Sequence, residues 1–492
     1  MSHERAIVVG GGPAGLTAAY ELLRHGIQPV VLEASDKVGG IARTETYKGY
    51  RFDIGGHRFY TKVDEVTQLW KEMLGDEFIR VRRLSRIFYD GRFFSYPLSA
   101  WNVVSNLGLV ESARILASYF KARLRPLQPE ESFEQWVINR FGERLYETFF
   151  KTYTEKVWGI PCSEIRADWA AQRIKGLSLV AAAMNAVFGF SRAKSLIEEF
   201  DYPRLGPGQM WERFQEKIEL HGGQVLMKSP VIKITRDGQK ITSVTARRGN
   251  QTTELVADHY IASMPLSKLL LSLDPPPPKH VVEAAKGLKY RDFLIVTLII
   301  NQPKLFPDNW IYVHTPEVRV GRIQNFKNWS AEMVPDQSKT CLGMEYFCSR
   351  GDDLWEMDDA KLFRLATREI DKLGLANGAD VEDGCVVRQP KAYPVYDAEY
   401  RAHLAVIQEY LQGFENLQTI GRAGMHRYNN QDHSMLCGLY AARNVAGAQY
   451  DLWDVNTERS YYEEHQTERR GRKQTVALEA AVMADNHQAA AA

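Results

Sequence analysis

A glycine-rich turn near the start of the 492-residue chain constrains the fold more than any other feature. It directly follows an apolar run, residues 6–9, and directly precedes a segment of helical periodicity, residues 16–25. A second apolar run, residues 29–32, ends in Glu33. The turn contains Gly10, Gly12, Pro13, Ala14 and Gly15. This order predicts a βαβ unit whose glycines admit a pyrophosphate at the helix N-terminus and whose terminal carboxylate binds an adenosine ribose.

Two further glycine segments extend this pattern. Gly39 and Gly40 stand shortly after the ribose acid, with Arg43 three residues later, and Gly421-Arg422 follows a short strand pattern near the other end of the chain. These segments resemble the fingerprint of FAD proteins of the glutathione-reductase type. The resemblance implies that Arg43 approaches the pyrophosphate and that Gly421-Arg422 closes the flavin site.

The order of patterns along the chain predicts a discontinuous layout. Residues 65–198 are mostly helical in pattern, apart from a hairpin at Asp90-Gly91, and short strands return over residues 224–264. We therefore predict an α/β fold in which a Rossmann-like FAD-binding domain is assembled from separate segments and joined to a mixed α+β substrate domain. The predicted FAD-binding segments are 1–90, 215–275 and 405–455, the substrate segments are 91–214 and 276–404, and the tail is 456–492.

Composition and missing motifs argue against several classes of protein function. Lys and Arg number 62 against 61 Asp and Glu, a net charge of +1, so no global basic field favours nucleic acid. The five cysteines are scattered without a CxxC pair, which argues against a disulfide framework or zinc site and favours a reducing cytoplasm. The longest nearly apolar stretch, residues 177–190, is too short to span a bilayer. Motifs for metal hydrolysis, ATP phosphoryl transfer and serine-hydrolase chemistry are missing from the sequence.

A second group of motifs is aromatic and basic. These are Gly55-Gly56-His57, Tyr96-Pro97, Trp158 with Arg173 fifteen residues later, Trp310-x-Tyr312 with Arg322, Tyr393-Pro394, Arg427-Tyr428 and Asn430-Gln431. With the FAD motifs, they make residues 5–452 similar to the flavin amine oxidase and protoporphyrinogen oxidase superfamily, and within it to UDP-galactopyranose mutases, especially the eukaryotic type. Ser99 and Thr154 replace a Gln and an Asn of those mutases on the side of the nucleotide base, so the base and the sugar stay open.

The resemblance implies a role for each of these residues. His57 lies against the flavin ring, and Arg173 and Arg322 hold a substrate diphosphate; these three are the expected catalytic residues. The expected substrate-binding residues are Tyr96, Trp158, Tyr312, Tyr393 and Tyr428. The expected cofactor-binding residues are Gly10, Gly12, Pro13, Ala14, Gly15, Glu33, Gly39, Gly40, Arg43, Gly56, His57, Val231, Arg422, Asn430 and Gln431.

Three functions remain open at this point. A mutase would interconvert the pyranose and furanose forms of a nucleotide-diphosphate sugar through an adduct of the sugar with N5 of reduced FAD, with NAD(P)H as a possible external reductant. An FAD oxidoreductase would instead transfer hydride from an amine, a porphyrinogen or a polyene to the flavin. A non-catalytic flavin-binding protein is the third reading. The paired arginines discriminate between the first two, because a diphosphate needs both and an amine needs neither.

Overall fold

A five-stranded parallel sheet forms the centre of one part of the molecule. The structure is a computed structural model that describes residues 4–96, 98–167 and 198–456. The strands, in spatial order, are Leu417–Thr419, His259–Ala262, Arg5–Val9, Gln28–Leu32 and Gln224–Leu226. They come from widely separated stretches of the sequence and pair in parallel, so the predicted discontinuous α/β fold is confirmed.

Both faces of this sheet are covered, which explains the continuous apolar runs in its strands. Ala6 and Val8 of the first strand face one core, and Ile7 and Val9 face another, as the two-residue period of a strand requires. The helices on the first face are Pro13–Arg24, Asp64–Leu74, Gly208–Leu220 and Gln431–Val445. The second face meets a four-stranded sheet of Val231–Asp237, Lys240–Arg248, Gln251–Leu255 and Leu273–Asp274, with the helices Leu266–Leu271, Lys279–Gly287 and Tyr400–Gln412.

A separate seven-stranded sheet forms the centre of the other part of the molecule. Its strands, in spatial order, are Val381–Pro394, Tyr290–Ile300, Thr340–Cys348, Arg322–Asn325, Trp310–Val313, Ser85–Tyr89 and Arg92–Ser95. The last two form the hairpin predicted at Asp90-Gly91. All neighbours are antiparallel except one pair, Trp310–Val313 with Ser85–Tyr89.

Helices and two small strand pairs complete the described chain. The strand pairs are Thr44–Tyr47 with Tyr50–Asp53 and Phe78–Arg82 with Glu199–Pro203; the second pair adds a strand to the stretch predicted as mostly helical. The remaining helices are Ala100–Leu124, Phe133–Phe141, Glu143–Tyr146, Thr152–Trp158, Phe326–Trp329, Asp353–Glu356, Asp359–Lys372 and Gly421–Gly424. Among the described residues, none of the helices has the length and apolar character needed to cross a membrane.

Candidate active site

One continuous cavity of about 1200 Å³ runs from the parallel sheet to the seven-stranded sheet. This volume exceeds the roughly 300–1,000 Å³ of an ordinary ligand pocket, so it can hold a cofactor and a second ligand together. The predicted site residues in its wall are Gly10, Gly12, Pro13, Ala14, Glu33, Gly40, Arg43, Gly56, His57, Tyr96, Trp158, Val231, Tyr312, Arg322, Tyr393, Arg422, Tyr428, Asn430 and Gln431. Gly15 and Gly39 lie behind this wall, and Arg173 falls outside the described residues.

The glycine turn forms a cradle at the N-terminus of the helix Pro13–Arg24. Gly12 caps that helix, and a Cβ added to Gly12 would meet nothing closer than Gly40 Cα at 3.9 Å, so its place is open. Gly15 has a different role, because a Cβ there would lie 1.9 Å from the Gly10 carbonyl oxygen. The amide of Gly39 donates to the Gly11 carbonyl over 2.8 Å and so joins the second glycine pair to the first turn.

Glu33 lies at the end of its strand with its carboxylate beside this cradle. Its Oε2 accepts a hydrogen bond from the Gly11 amide at 2.7 Å, and its Oε1 accepts from the Ser35 amide at 2.8 Å. The side chain is buried but contributes to the cavity wall. It therefore stands where the carboxylate of a βαβ unit meets an adenosine ribose.

The described residues fit FAD. A helix N-terminus with an open Cβ position suits a pyrophosphate, and Arg43 contributes its guanidinium to the same wall while donating to the Gly40 carbonyl at 2.8 Å. Farther along the cavity, Gln431 Oε1 is buried and has no hydrogen-bond partner among the described residues. A ring system with N–H groups would satisfy that acceptor.

His57 lies in the cavity wall, directly after the glycine pair Gly55-Gly56. Gly55, two residues before His57, has a φ of +96°, which favours glycine, and its Cα lies close to Arg322, since an added Cβ would be 3.4 Å from Arg322 Nη2. Burial, together with the positive charges of the Arg422 and Arg322 guanidinium groups, lowers the pKa of His57 to about 3. His57 is therefore a neutral imidazole at physiological pH.

Arg322 is anchored by a buried carboxylate that the sequence reading missed. Glu345 is fully buried, and it accepts hydrogen bonds from Arg322 Nε at 2.5 Å and from Gln324 Nε2 at 2.8 Å. Burial raises the pKa of Glu345, while Arg322 opposes that shift. The signal was an acid in the middle of the apolar run of the strand Thr340–Cys348, since such an acid requires a buried partner. The ion pair holds the Arg322 side chain in the cavity wall.

Tyrosines surround the same end of the cavity. Tyr312 lies between Tyr96, at 5.0 Å between ring centroids, and Tyr153, at 5.5 Å. Tyr393 and Tyr428 stack at 5.7 Å, and the Arg422 guanidinium lies 4.5 Å from the Tyr428 centroid. Burial raises the pKa values of Tyr153 and Tyr393, so both hydroxyls stay protonated and can donate hydrogen bonds. Tyr153 was not among the predicted residues.

The charged groups in the cavity wall are mostly cations. Nine basic side chains line it against two acidic ones, although the whole chain has a net charge of only +1. The basic ones are Arg43, Arg58, Lys268, Arg322, Arg388, Lys391, Arg401, Arg422 and Arg427; the acidic ones are Glu33 and Asp432. Carboxylates behind the wall compensate Arg43, Arg322 and Arg388, while Arg422 and Arg427 donate to backbone carbonyl oxygens. The cavity therefore attracts anions.

Comparison with known proteins identifies the family of this chain. A profile of the family described as flavin containing amine oxidoreductase matches residues 13–445. L-amino-acid oxidases of Sistrurus catenatus edwardsii and Crotalus adamanteus are 24% and 23% identical over 63% of this chain. The match spans 60% of the length of these curated relatives.

Solved structures resemble nearly the whole chain. A reduced UDP-galactopyranose mutase superposes with a TM-score of 0.80 at 21% identity, covering 93% of this chain and 99% of its own. A putative protoporphyrinogen oxidase from Exiguobacterium sp. 255-15 gives 0.68 at 18% identity, covering 90% and 99%. These likenesses confirm the predicted fold class, and the matched profile shows that the chain belongs to the flavin containing amine oxidoreductase family. The predicted FAD dependence follows from that membership.

Proposed function

We propose that this member of the flavin containing amine oxidoreductase family is an FAD-dependent sugar-nucleotide mutase, which interconverts the pyranose and furanose forms of a nucleotide-diphosphate sugar. The observation that carries the proposal is the basic cavity wall, in which nine cationic side chains face two anionic ones and carboxylates behind the wall compensate three of the nine. FAD and a nucleotide-diphosphate sugar each bring a diphosphate, so a cavity that holds both needs many cations. A protonated amine would meet repulsion in the same place.

The chain's own residues would bind and orient the substrate. Arg322, fixed from behind by Glu345, points a planar donor group at the diphosphate, and Arg173 is proposed as its counterpart. The protonated hydroxyls of Tyr393 and Tyr153 would donate to phosphate or sugar oxygens. Reduced FAD, when bound, supplies the nucleophilic centre, and NAD(P)H is a candidate external reductant. The protein's remaining part is to hold the anomeric carbon in place and to exclude water.

An amino-acid oxidase is the second candidate. It is favoured by the curated relatives, which are L-amino-acid oxidases. In that case Arg322 would bind a substrate carboxylate, for which a single arginine suffices, and the other cations would serve FAD alone. This candidate predicts that a nucleoside diphosphate does not bind to the enzyme in its FAD-loaded form.

Calorimetric binding of UDP to the FAD-loaded enzyme tests the proposed substrate class. Arg322→Ala and Arg173→Ala should each weaken binding by about 2–4 kcal/mol, because a buried anion loses a charged partner. Arg322→Lys separates charge from geometry, since it keeps the cation but loses the planar fork. Arg319→Ala is the matched control. Arg319 lies three residues before Arg322 in the sequence, and its substitution breaks only an ion pair with Asp353 at the surface.

Two results would refute the proposal. One is a parent enzyme that binds no nucleoside diphosphate, and the other is a pair of alanine variants that bind UDP as the parent does. FAD content and the thermal midpoint of each variant must match the parent, so that a loss of binding is not a loss of folding.

A further inference from the structure

The helix Ala100–Leu124 and the turn after it expose an unusual amount of apolar surface. Thirteen large apolar side chains are exposed among the described residues, and seven of them lie between positions 101 and 127. They are Trp101, Leu109, Val110, Leu116, Phe120, Leu124 and Leu127, with exposed fractions from 42% to 83%. Single exposed apolar residues are normal on a protein surface, but a cluster marks a binding face.

The pattern of this helix separates two faces after its break at Gly108. Leu109, Leu116, Phe120 and Leu124 are spaced by seven, four and four residues, so they project from one side. Ile115 projects from the other side of the helix and is buried in a core that also contains Phe133 and Phe141. The exposed side is thus a continuous apolar stripe on a helix whose inner side is fixed to the protein.

Basic side chains border this stripe. Residues 100–125 contain four cations, Arg114, Lys121, Arg123 and Arg125, and one acid, Glu111. That acid is already paired, with Arg114 at 3.3 Å and with Arg144 at 2.5 Å, and Lys121 lies 3.9 Å from the carboxylate of Glu143 on a neighbouring helix. Among the described residues, no ion pair joins Arg123 or Arg125 to a carboxylate. The whole chain has a net charge of only +1. The excess of cations over acids in residues 100–125 is therefore local to this helix and does not reflect the composition of the whole protein.

We propose that this face docks on the surface of a bilayer that contains anionic phospholipids. The segment after Gly108 has sixteen residues, about 24 Å at roughly 1.5 Å per residue, which suits a helix lying in the plane of the interface. Its leucines and phenylalanine enter the boundary between headgroups and acyl chains, while the arginines contact lipid phosphates. A second copy fits the charges less well, because Glu111, the one acid of the segment, is already paired and leaves Arg123 and Arg125 of each copy without a carboxylate from the facing segment.

The proposal does not depend on the reaction at the cavity. The docking face begins after Gly108, and none of residues 109–125 lines the cavity. Docking through this face is therefore expected for a mutase and for an oxidase alike.

Vesicle sedimentation with the full-length, FAD-loaded protein tests the docking. The protein should sediment with phosphatidylcholine vesicles that contain about one quarter phosphatidylglycerol, and at least tenfold less with phosphatidylcholine alone. Arg123→Glu with Arg125→Glu should weaken the binding by about fivefold or more for each arginine. Leu116→Asp with Phe120→Asp should abolish it, whereas Leu220→Asp, at a leucine of the helix Gly208–Leu220 that is even more exposed, should leave it unchanged.

Retained FAD absorbance and an unchanged thermal midpoint are required of every variant. The arginine variants are at exposed positions, so they remain informative if the aspartate pair prevents folding. No binding by the parent, or equal binding to neutral and anionic vesicles, overturns the proposal. A parent dimer that dissociates in the Leu116/Phe120 variant without any vesicle binding also overturns it and assigns the face to a second copy.

Discussion

Two buried carboxylates, Glu345 and Asp53, differ in whether a cation lies beside them. Glu345 is compensated by the Arg322 guanidinium, whereas Asp53 accepts hydrogen bonds from the hydroxyls of Tyr202 and Thr44. Burial is the largest influence on Asp53 and raises its pKa to about 8, against the smaller opposite effect of the two hydroxyls. Asp53 is therefore mostly a neutral acid in the folded protein at neutral pH, while the same residue is ionised in the unfolded chain.

This difference predicts a pH dependence of stability. Between about pH 4 and the folded pKa of about 8, the native state binds a proton at Asp53 that the unfolded state does not, so its contribution to stability is lost as pH rises. Each unit of pKa difference is worth about 1.4 kcal/mol. Asp53→Asn, which imitates the neutral acid, should be more stable than the parent at pH 8, and the advantage should shrink toward pH 4. Denaturant unfolding at both pH values measures it; an equal difference at both would contradict the assignment.

Glu33 gives a second prediction at this scale. Glu33→Ala removes the carboxylate that would accept hydrogen bonds from the ribose of FAD, and one such charge-assisted contact is worth about 1.5–3 kcal/mol. FAD affinity of the reconstituted apoprotein should fall accordingly. Glu33→Gln, which keeps the shape, separates loss of charge from loss of packing. Glu216→Ala, at an exposed ion pair with Arg213, is the control. Unchanged FAD affinity in Glu33→Ala would remove Glu33 from the cofactor site.

At the scale of elements, two glycines at the junction of the first strand and the first helix, Gly12 and Gly15, are required for different structural reasons. Gly15 permits the helix to touch the preceding turn, because a Cβ there would clash with the Gly10 carbonyl oxygen at 1.9 Å. Gly12 has no such neighbour in the protein, and its φ of −83° suits any residue. Its lack of a side chain is therefore useful only to a ligand.

The contrast between these glycines is testable. Gly12→Ala should leave the thermal midpoint of the apoprotein near that of the parent and yet lose FAD, because the added methyl group occupies the place of the pyrophosphate. Gly15→Ala should lower both the apoprotein's stability and FAD retention. Calorimetry of the apoproteins and absorbance after reconstitution measure the two effects. If Gly12→Ala retains FAD as the parent does, the cradle does not hold the pyrophosphate.

An element can be predicted from the sequence when the residues that determine it are close together in the chain. The βαβ unit was predictable because its strand, glycine turn, helix and acid are contiguous within residues 5–33. The seven-stranded sheet was not, because its neighbours pair across long separations, as Ser85–Tyr89 does with Trp310–Val313. Glu345 was missed for the same reason: its partner Arg322 is on a neighbouring strand, and periodicity along one strand does not reveal it.

At the scale of the whole molecule, the two sheets enclose one cavity with an anion-attracting wall. The nearly neutral chain concentrates nine cations there, and the exposed cations of the helix Ala100–Leu124 form a second basic region. A field focused in a cleft raises the local concentration of anionic ligands and weakens with salt. Association of a nucleotide diphosphate should therefore slow as ionic strength rises, without any change in FAD content.

The central claim is isomerisation without net oxidation, and one anaerobic incubation tests it most directly. The enzyme is incubated with UDP-galactopyranose, UDP-galactofuranose and related nucleotide sugars, first oxidised and then reduced with dithionite or NAD(P)H, and the sugars are separated by chromatography. The account predicts interconversion of furanose and pyranose forms only after reduction, with many turnovers for each reducing equivalent. Bleaching of the oxidised flavin by an amine, an amino acid, a porphyrinogen or a polyene, with no isomerisation of any nucleotide sugar, would contradict it.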